Sequence, residues 1–573
     1  MSAIYGFAQW PRDTFDPAAF DAMTEALRHY AHDGSGAWHH ANIALGHHAL
    51  DATRHADAEK FPFEDPESGL AVTADARLDN RADLCAELGL PPAPRTVLSN
   101  GTLIAWAYRK WGTDCPKHLI GDFAFALWDP AAQQFFAARD HMGIRPLFYA
   151  HQSGSHFVFA SDILGVLAMP GVEGRRDRAR LDLSSGWFPN DTGAETYFED
   201  IRLIPPGHAL TASAHGLDLR CYWAPVEQPE LRLENEAAYA DRVREVLTEA
   251  IRCRIDSTAN VGCHISGGLD CTTAAVIANE FLMQEAKRIV GYSWSPAPRP
   301  EDYPLTDERR YVEAAAAMLG IKQGKDLHYT ELTAATLEEL QARDVATEPT
   351  TFLNHDLVIQ RKVHHNGVRT LISGWGGDDG LSFNGAALFP EYLLTGQWGL
   401  LWREINAMAA VERVSPLYVF KERVLLYLTP NWIKHVRDLA KRDPLRRAHA
   451  WKKLRHYQPG LQYRFYPPFM RKRQLARLKS PGIAMRLVSW NASAAPHGLT
   501  YVYPFLDKRV VELSLALPKR LYFTRGYKRY IYRLAVQGIF PEGMQWTREK
   551  RDEAMQSLQQ QLGRDMQNKK NGR

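Results

Sequence analysis

Val261-Gly262-Cys263-His264-Ile265-Ser266-Gly267-Gly268-Leu269-Asp270, running on into Cys271 to Met283 (CTTAAVIANEFLM), is the stretch from which the fold is read. Val261 to Ile265 is a short strand-like run, and Cys271 to Met283 carries a helix pattern. Two glycines lie between them. They let the backbone turn tightly and bring N–H groups close to an anion. The helix behind them adds the positive end of its dipole, and Ser266 offers a hydroxyl donor. Such a loop suits a pyrophosphate. It lacks the Walker lysine, so it is not a P-loop of the G-x-x-x-x-G-K-[ST] kind. Taken alone, it reads equally well as an ordinary glycine turn.

Working outward, the chain alternates strands with helices. Arg288 to Trp294 and Val368 to Ser373 read as strands, Asp307 to Leu319 and Leu357 to His365 as helices. That order predicts a doubly wound parallel sheet covered by helices. A second glycine-rich loop, Ser373-Gly374-Trp375-Gly376-Gly377-Asp378-Asp379-Gly380, follows the last of these strands. Loops at the carboxyl ends of parallel strands share one crevice, so Asp270 and Asp378 are expected to face each other. Two carboxylates with bridging phosphates are a common way to hold magnesium.

The N-terminal ~210 residues have a different grammar of short strands and turns. Leu70 to Ala74 and Phe157 to Ala160 read as strands. Asp122 to Trp128 alternates, breaks at Asp129-Pro130 and returns through Phe135 to Ala138 as a hairpin. A polar, proline-containing stretch from Pro225 to Asn235 marks a boundary. It divides the chain into 1–225 and 236–573, and a helix pattern starts from Glu234. From about Leu388 the chain reads as mostly helical. It is dense in Lys and Arg between Lys434 and Lys479, with Trp432, Trp451, Tyr457, Tyr463, Phe465 and Tyr466 interleaved. That segment reads as a groove for a peptide or for the anionic charge of ATP, as a stacking surface for RNA, or as solvated helix faces. Gln567 to Arg573 is polar and expected to fray.

Composition narrows the class. With 573 residues, roughly two to four domains are expected. Hydrophobic residues at 45% and charged residues at 24% are globular values, which excludes a wholly disordered chain. Lys plus Arg is 69 and Asp plus Glu is 66, a net charge of +3, which argues against a dedicated nucleic-acid binder. The six cysteines form no C-x-x-C pair, so zinc-ribbon and thioredoxin readings have no support. The first ten residues carry no signal-peptide pattern, and no apolar run approaches ~20 residues. A cytoplasmic protein with no membrane partner is expected.

At this point the residues resemble a family. SGGLD at Ser266–Asp270 is similar to the pyrophosphate loop of the ATP pyrophosphatases. With SGWGGDD at Ser373–Asp379 and YPFLD at Tyr503–Asp507, the resemblance is to the asparagine synthetase superfamily. GDFAFALWD at Gly121–Asp129, RDHMGIRPL at Arg139–Leu147, FASD at Phe159–Asp162 and LIPPGH at Leu203–His208 resemble its glutaminase-like domain. The resemblance implies an N-terminal Ntn-hydrolase-like αββα sandwich and a C-terminal ATP-pyrophosphatase domain with a helical extension. It also implies ATP and Mg2+ as cofactors. Nucleotide contacts would fall on Ile265, Ser266, Gly267, Gly268, Asp270, Cys271, Ser293 and Gly374, and metal contacts on Asp270 and Asp378.

Three departures bear on the member. Glutamine-dependent members carry Cys after the initiator Met, whereas here the position is Ser2, a weak nucleophile without a base; the alternatives are an inactive glutaminase or, once Met1 is removed, a Ser2 that acts with its own amine. Trp375 stands where asparagine synthetases have a glutamate that helps manage ammonia attack. A Trp takes no proton, but it offers a flat wall and an N–H donor. Cys271 replaces a serine usual at that helix start. Together with the basic-aromatic tail, Ser2 and Trp375 make the chain most similar to a lasso peptide cyclase. Lys550, with Arg548 beside it, is the candidate cation for the tetrahedral intermediate, and Trp375 is the third candidate catalytic residue. A precursor peptide is the implied substrate, with a leader peptidase and a leader-recognition protein as implied partners. An asparagine synthetase or a β-lactam-synthetase-like ligase of a small molecule is the alternative.

Overall fold

The computed structural model describes residues 1–10, 14–50, 60–90, 98–177, 193–255, 259–296, 308–322, 324–330, 356–429 and 467–540, with 433, 436, 439, 545 and 546. Lys550, Arg548, the terminal 567–573 and most of the basic-aromatic segment lie outside the described residues.

The strand Ala3–Gln9 (AIYGFAQ) is apolar along nearly its whole length because both of its faces are covered. Ala3, Tyr5 and Phe7 pack outward with the helix Pro17–Ala26. Ile4 and Ala8 point the other way, against Ala124, Ala126 and Phe135 of a second sheet. Alternate side chains of a strand point to opposite faces, so one run of residues serves two layers. Each sheet has six antiparallel strands. The helix Asn100–Trp111 covers the outer face of the second. The expected αββα sandwich is therefore present, including the hairpin Gly121–Asp129 to Gln134–Arg139. Asp129 Oδ1 fixes that turn by accepting from the N–H groups of Ala131 (2.9 Å) and Ala132 (3.0 Å).

The C-terminal half holds a five-stranded sheet in the order Leu327–Thr330, Val290–Pro296, Asn260–His264, Val368–Ile372, Thr500–Val502, with every pairing parallel. Helices Glu236–Arg252 and Leu269–Gln284 pack on one face, and Asp356–His365 and Pro481–Ala494 on the other. The expected strands and helices fall within a few residues of their observed positions. The outer strands Leu327–Thr330 and Thr500–Val502 are additions. They are too short for alternation to reveal, and Thr500–Val502 pairs with a strand some 130 residues earlier, Thr370 opposite Thr500. Among the described residues no helix is long and apolar enough to cross a membrane.

A buried ionic knot joins the halves. Arg254 reaches Asp122 (2.9 Å) and Asp79 (3.6 Å) of the N-terminal half and Asp507 (2.7 Å) of the C-terminal half. Arg77 bonds Asp79 and Asp122, and Arg509 bonds Asp507. Burial alone would raise the Asp507 pKa, but the Arg254 and Arg509 guanidiniums outweigh it and hold the carboxyl well below its ordinary value. Asp507 of YPFLD and Asp122, the first Asp of GDFAFALWD, thus sit on one arginine and hold the two halves together.

Candidate active site

The first loop leaves the central strand at its carboxyl end. Ile265 N–H still bonds the Tyr292 carbonyl of the next strand (2.7 Å), so the loop begins in a fixed register. Ser293, wholly buried, follows Tyr292 on that neighbour. Gly267 has φ +61°, and a Cβ there would lie 2.3 Å from the Cβ of Tyr311. Only glycine satisfies both limits. Gly268 N–H donates to Ser266 Oγ (3.2 Å), and Gly268 caps the helix Leu269–Gln284. The first-turn N–H groups of a helix have no intrahelical acceptor.

The second loop lies directly on the first. A Cβ on Gly374 would stand 2.4 Å from Cys271 N, and one on Gly377 would stand 2.7 Å from Asp270 Cγ. These glycines serve close approach, since neither has a positive φ. Ser373 Oγ lies 3.3 Å from His264 Nδ1 and accepts from Trp375 N–H (3.3 Å), bracing the two loops through buried polar atoms. The adjacent acids diverge. Asp379 is tied to Arg477 (2.6 Å), whereas Asp378 faces the crevice.

Asp270 and Asp378 meet on one cation, as expected from the shared crevice. Arg529 reaches Asp270 Oδ2 at 3.4 Å and is hydrogen-bonded to Asp378 Oδ1. Burial disfavours its charge, but the two carboxylates outweigh that and raise its pKa. Among the described residues no group of three or more His, Cys, Asp or Glu could cage a metal. Two carboxylates converging on one positive charge fit Mg2+, which takes few protein ligands and completes its shell with phosphates and water. Arg529 escaped the sequence reading. Its only local signal is the basic run Arg525 to Arg533, more than 250 residues from Asp270.

Trp375 stands in an aromatic chamber with Trp490 and Tyr503, at centroid distances of 6.3 and 6.2 Å. The Arg486 guanidinium lies over both indoles, 4.8 Å from Trp375 and 4.1 Å from Trp490. Behind them, Asp356 accepts from Trp294 Nε1 (2.7 Å) and lies 3.6 Å from His264 Nε2. Burial pushes the Asp356 carboxyl up to about 7 and the His264 imidazole down to about 3, so His264 is neutral at physiological pH. None of Arg486, Asp356 and His264 was picked out in sequence, because each reads as an ordinary helix or strand residue.

Between the two halves a cavity of about 330 Å3 lies at Ser2, lined also by His47, Asp75 and Arg145 and, from the C-terminal half, by Thr370, Thr500 and Val502. Ser2 Oγ accepts the Leu50 N–H (3.0 Å), and among the described residues no base bonds it. Met1 is buried, and its amine bonds Thr500 Oγ1 (2.5 Å) on the edge strand of the parallel sheet. Burial lowers that amine's pKa to about 4.

Of the expected site residues, Ile265, Ser266, Gly267, Gly268, Asp270, Cys271, Ser293, Gly374, Trp375 and Asp378 all fall on the strand Val290–Pro296, the loops that follow Asn260–His264 and Val368–Ile372, and the first turn of the helix Leu269–Gln284. Cys271 is buried in that turn. Lys550 and Arg548 lie beyond the described residues.

Comparison with known proteins agrees with this architecture. Residues 1–223 match a glutamine amidotransferase domain, and residues 242–569 match the asparagine synthase family. Asparagine synthetase [glutamine-hydrolyzing] 3 of Bacillus subtilis is 31% identical over 290 residues, covering 50% of this chain and 47% of that protein. Amidase chry2 of Gibberella zeae is 27% identical over 379 residues, covering 63% and 54%. Asparagine synthetase [glutamine-hydrolyzing] 1 of Bacillus subtilis is 22% identical over 547 residues, covering 91% and 81%. The chain spans about half the length of the first two relatives. With 242–569 covering more than half of its length, the chain belongs to the asparagine synthase family.

Proposed function

We propose that this protein is an AMP-forming amide ligase that closes a macrolactam in a peptide, as a lasso peptide cyclase does. The observation that carries this is the contrast between its two sites. Two glycine-rich loops bring Asp270 and Asp378 onto one cation, while Ser2 Oγ hydrogen-bonds only the Leu50 N–H among the described residues. Without a base to take its proton, a serine hydroxyl is a poor nucleophile. The attacking amine is then not ammonia from glutamine but a group on the substrate.

The side-chain carboxylate of an Asp or Glu attacks the α-phosphorus of ATP, and the bond to the bridging oxygen breaks to release pyrophosphate. Ser266 and the N–H groups of the first loop receive the phosphates. Asp270 and Asp378 would hold Mg2+, which when bound offsets the phosphate charge. Arg529 then turns from the acids to the phosphates. The peptide's N-terminal amine attacks the acyl-adenylate, loses its proton and displaces AMP. Holding both ends of one chain makes this step effectively unimolecular. Trp375 walls the acyl group from water, which would otherwise hydrolyse the adenylate. Lys550 and Arg548 are proposed to steady the tetrahedral intermediate. A leader peptidase and a leader-recognition protein are the proposed partners.

The cavity at Ser2 favours a second reading, amide ligation on a small molecule as in an asparagine or β-lactam synthetase. Incubation with ATP, Mg2+ and either glutamine plus aspartate or a candidate precursor peptide separates the two. Cyclisation predicts loss of one water from the peptide, AMP release and no glutamate. Glutamate and asparagine production would overturn it.

A further inference from the structure

Three buried donors belong to side chains packed around Trp375 and have no acceptors. Trp490 is 1% exposed and its Nε1 has no partner, and Tyr503 is fully buried with its hydroxyl equally unmatched. Arg486 Nε is buried and unbonded, and among the described residues Arg486 has no hydrogen-bond or ion-pair partner. Leaving such groups unmatched costs about 1–3 kcal/mol each, and more for a charged one. The guanidinium is oriented by the two indole faces beneath it rather than by an acid. The carboxyls that act on Arg486 are Asp356, which accepts from Trp294 Nε1, and Asp379, which is tied to Arg477; neither forms an ion pair with Arg486. Burial raises the Asp356 pKa to about 7, so Asp356 does not quench the positive charge of Arg486 in mildly acidic solution.

From this geometry we infer that Arg486, Trp490 Nε1 and Tyr503 Oη form a receptor for a carboxylate group of the substrate, with Trp375 as its floor. Donors alone select an acceptor, the cation selects an anion, and a planar guanidinium suits a planar carboxylate. The second loop continues from Trp375 through Gly377, which touches Asp270, so a carboxylate seated here borders the proposed adenylation site. The inference deepens the proposed function by naming what Trp375 replaces the ammonia-handling acid with. Its test is independent of ATP.

Calorimetric titration of the full chain, without nucleotide, uses three probes. N-acetylglutamate α-amide carries a side-chain acid, N-acetylalanine a main-chain acid, and N-acetylglutamine α-amide neither. Binding of at least one acid, at least tenfold weaker in Arg486→Met and partly restored in Arg486→Lys, is expected. Tyr503→Phe, which keeps the ring packing and removes one donor, should weaken the same acid severalfold. The acid so affected identifies the source of the carboxylate. Failure of wild type to bind either acid, equal binding of the neutral amide, or unchanged affinity in both Arg486→Met and Tyr503→Phe overturns the receptor. A protein that fails here yet forms AMP keeps its ligase reading, and one that binds the acid without cleaving ATP loses only that reading.

Discussion

Gly377→Ala separates function from stability at a single methyl group. The added Cβ would stand 2.7 Å from Asp270 Cγ and 3.0 Å from each carboxylate oxygen. Ordinary carbon contacts are about 3.5–4.0 Å, so the carboxylate must retreat by about 0.8 Å or more. Gly377 has no positive φ, and what it meets is the end of a side chain. The backbone therefore accepts alanine, and stability should change by under about 1 kcal/mol. Chemistry is less forgiving, because misplacement by ~1 Å costs about 100-fold, equivalent to about 2.7 kcal/mol of barrier. The assay is AMP release against Mg2+ concentration, with thermal unfolding recorded alongside. A fall of one to two decades, a weakened Mg2+ dependence and an unmoved Tm are expected. AMP formation within threefold of wild type at every Mg2+ concentration would show that Asp270 does not hold the metal. Gly399→Ala is the control. It lies exposed in the helix Trp398–Glu412 with nothing within 4 Å of its Cβ, and should stabilise by about 0.5–1 kcal/mol.

Other perturbations reach the remaining parts. Arg254→Met strands Asp122 and Asp507 in the interface and should cost about 3–5 kcal/mol, read as a lowered denaturation midpoint; an unchanged midpoint would remove the knot from the interface. Ser2→Ala should leave ATP-dependent ligation within twofold of wild type, since Ser2 Oγ bonds only a backbone N–H among the described residues; a large loss of ligation would return Ser2 to the chemistry. Asp356 gives a pH signature. Its folded pKa is about 7, above the ordinary ~3.9, so the folded state holds a proton that the unfolded chain has released between those values. Its contribution is fully present below about pH 4 and falls by about 1.4 kcal/mol per unit as pH rises to about 7. Above that, Asp356 is charged and competes for Arg486. His264, Tyr501 and Tyr503 face the same space but stay neutral throughout, and Asp379, whose pKa burial raises, is tied to Arg477 in wild type and Asp356→Asn alike. Carboxylate affinity should therefore drop above pH 7 in wild type and stay level in Asp356→Asn. Parallel profiles for the two proteins would refute this.

What the sequence made legible was local. Glycines and acids spaced within one loop announce a turn, an anion cradle and a carboxylate, because the strand before and the helix after are written next to them. The placing of Asp270 opposite Asp378 needed only the rule that parallel strands end on one side. Arg529 and Arg486 were hidden for the opposite reason. Each reaches the crevice from a segment more than 100 residues beyond the loop it serves, and neither carries a motif of its own. Thr500–Val502 was missed because three residues cannot show a period, although its pairing carries YPFLD to the interface. The chemical meaning of Trp375 depended on the residue it replaces, while its physical role emerged only with Arg486 over its face.

The decisive experiment is a nucleotide and mass analysis of one reaction containing the full chain, ATP, Mg2+ and its peptide. AMP and pyrophosphate in equal amounts with a peptide lighter by one water are predicted. ADP and phosphate, or a cyclised peptide with ATP untouched, would contradict activation of the acid as an adenylate.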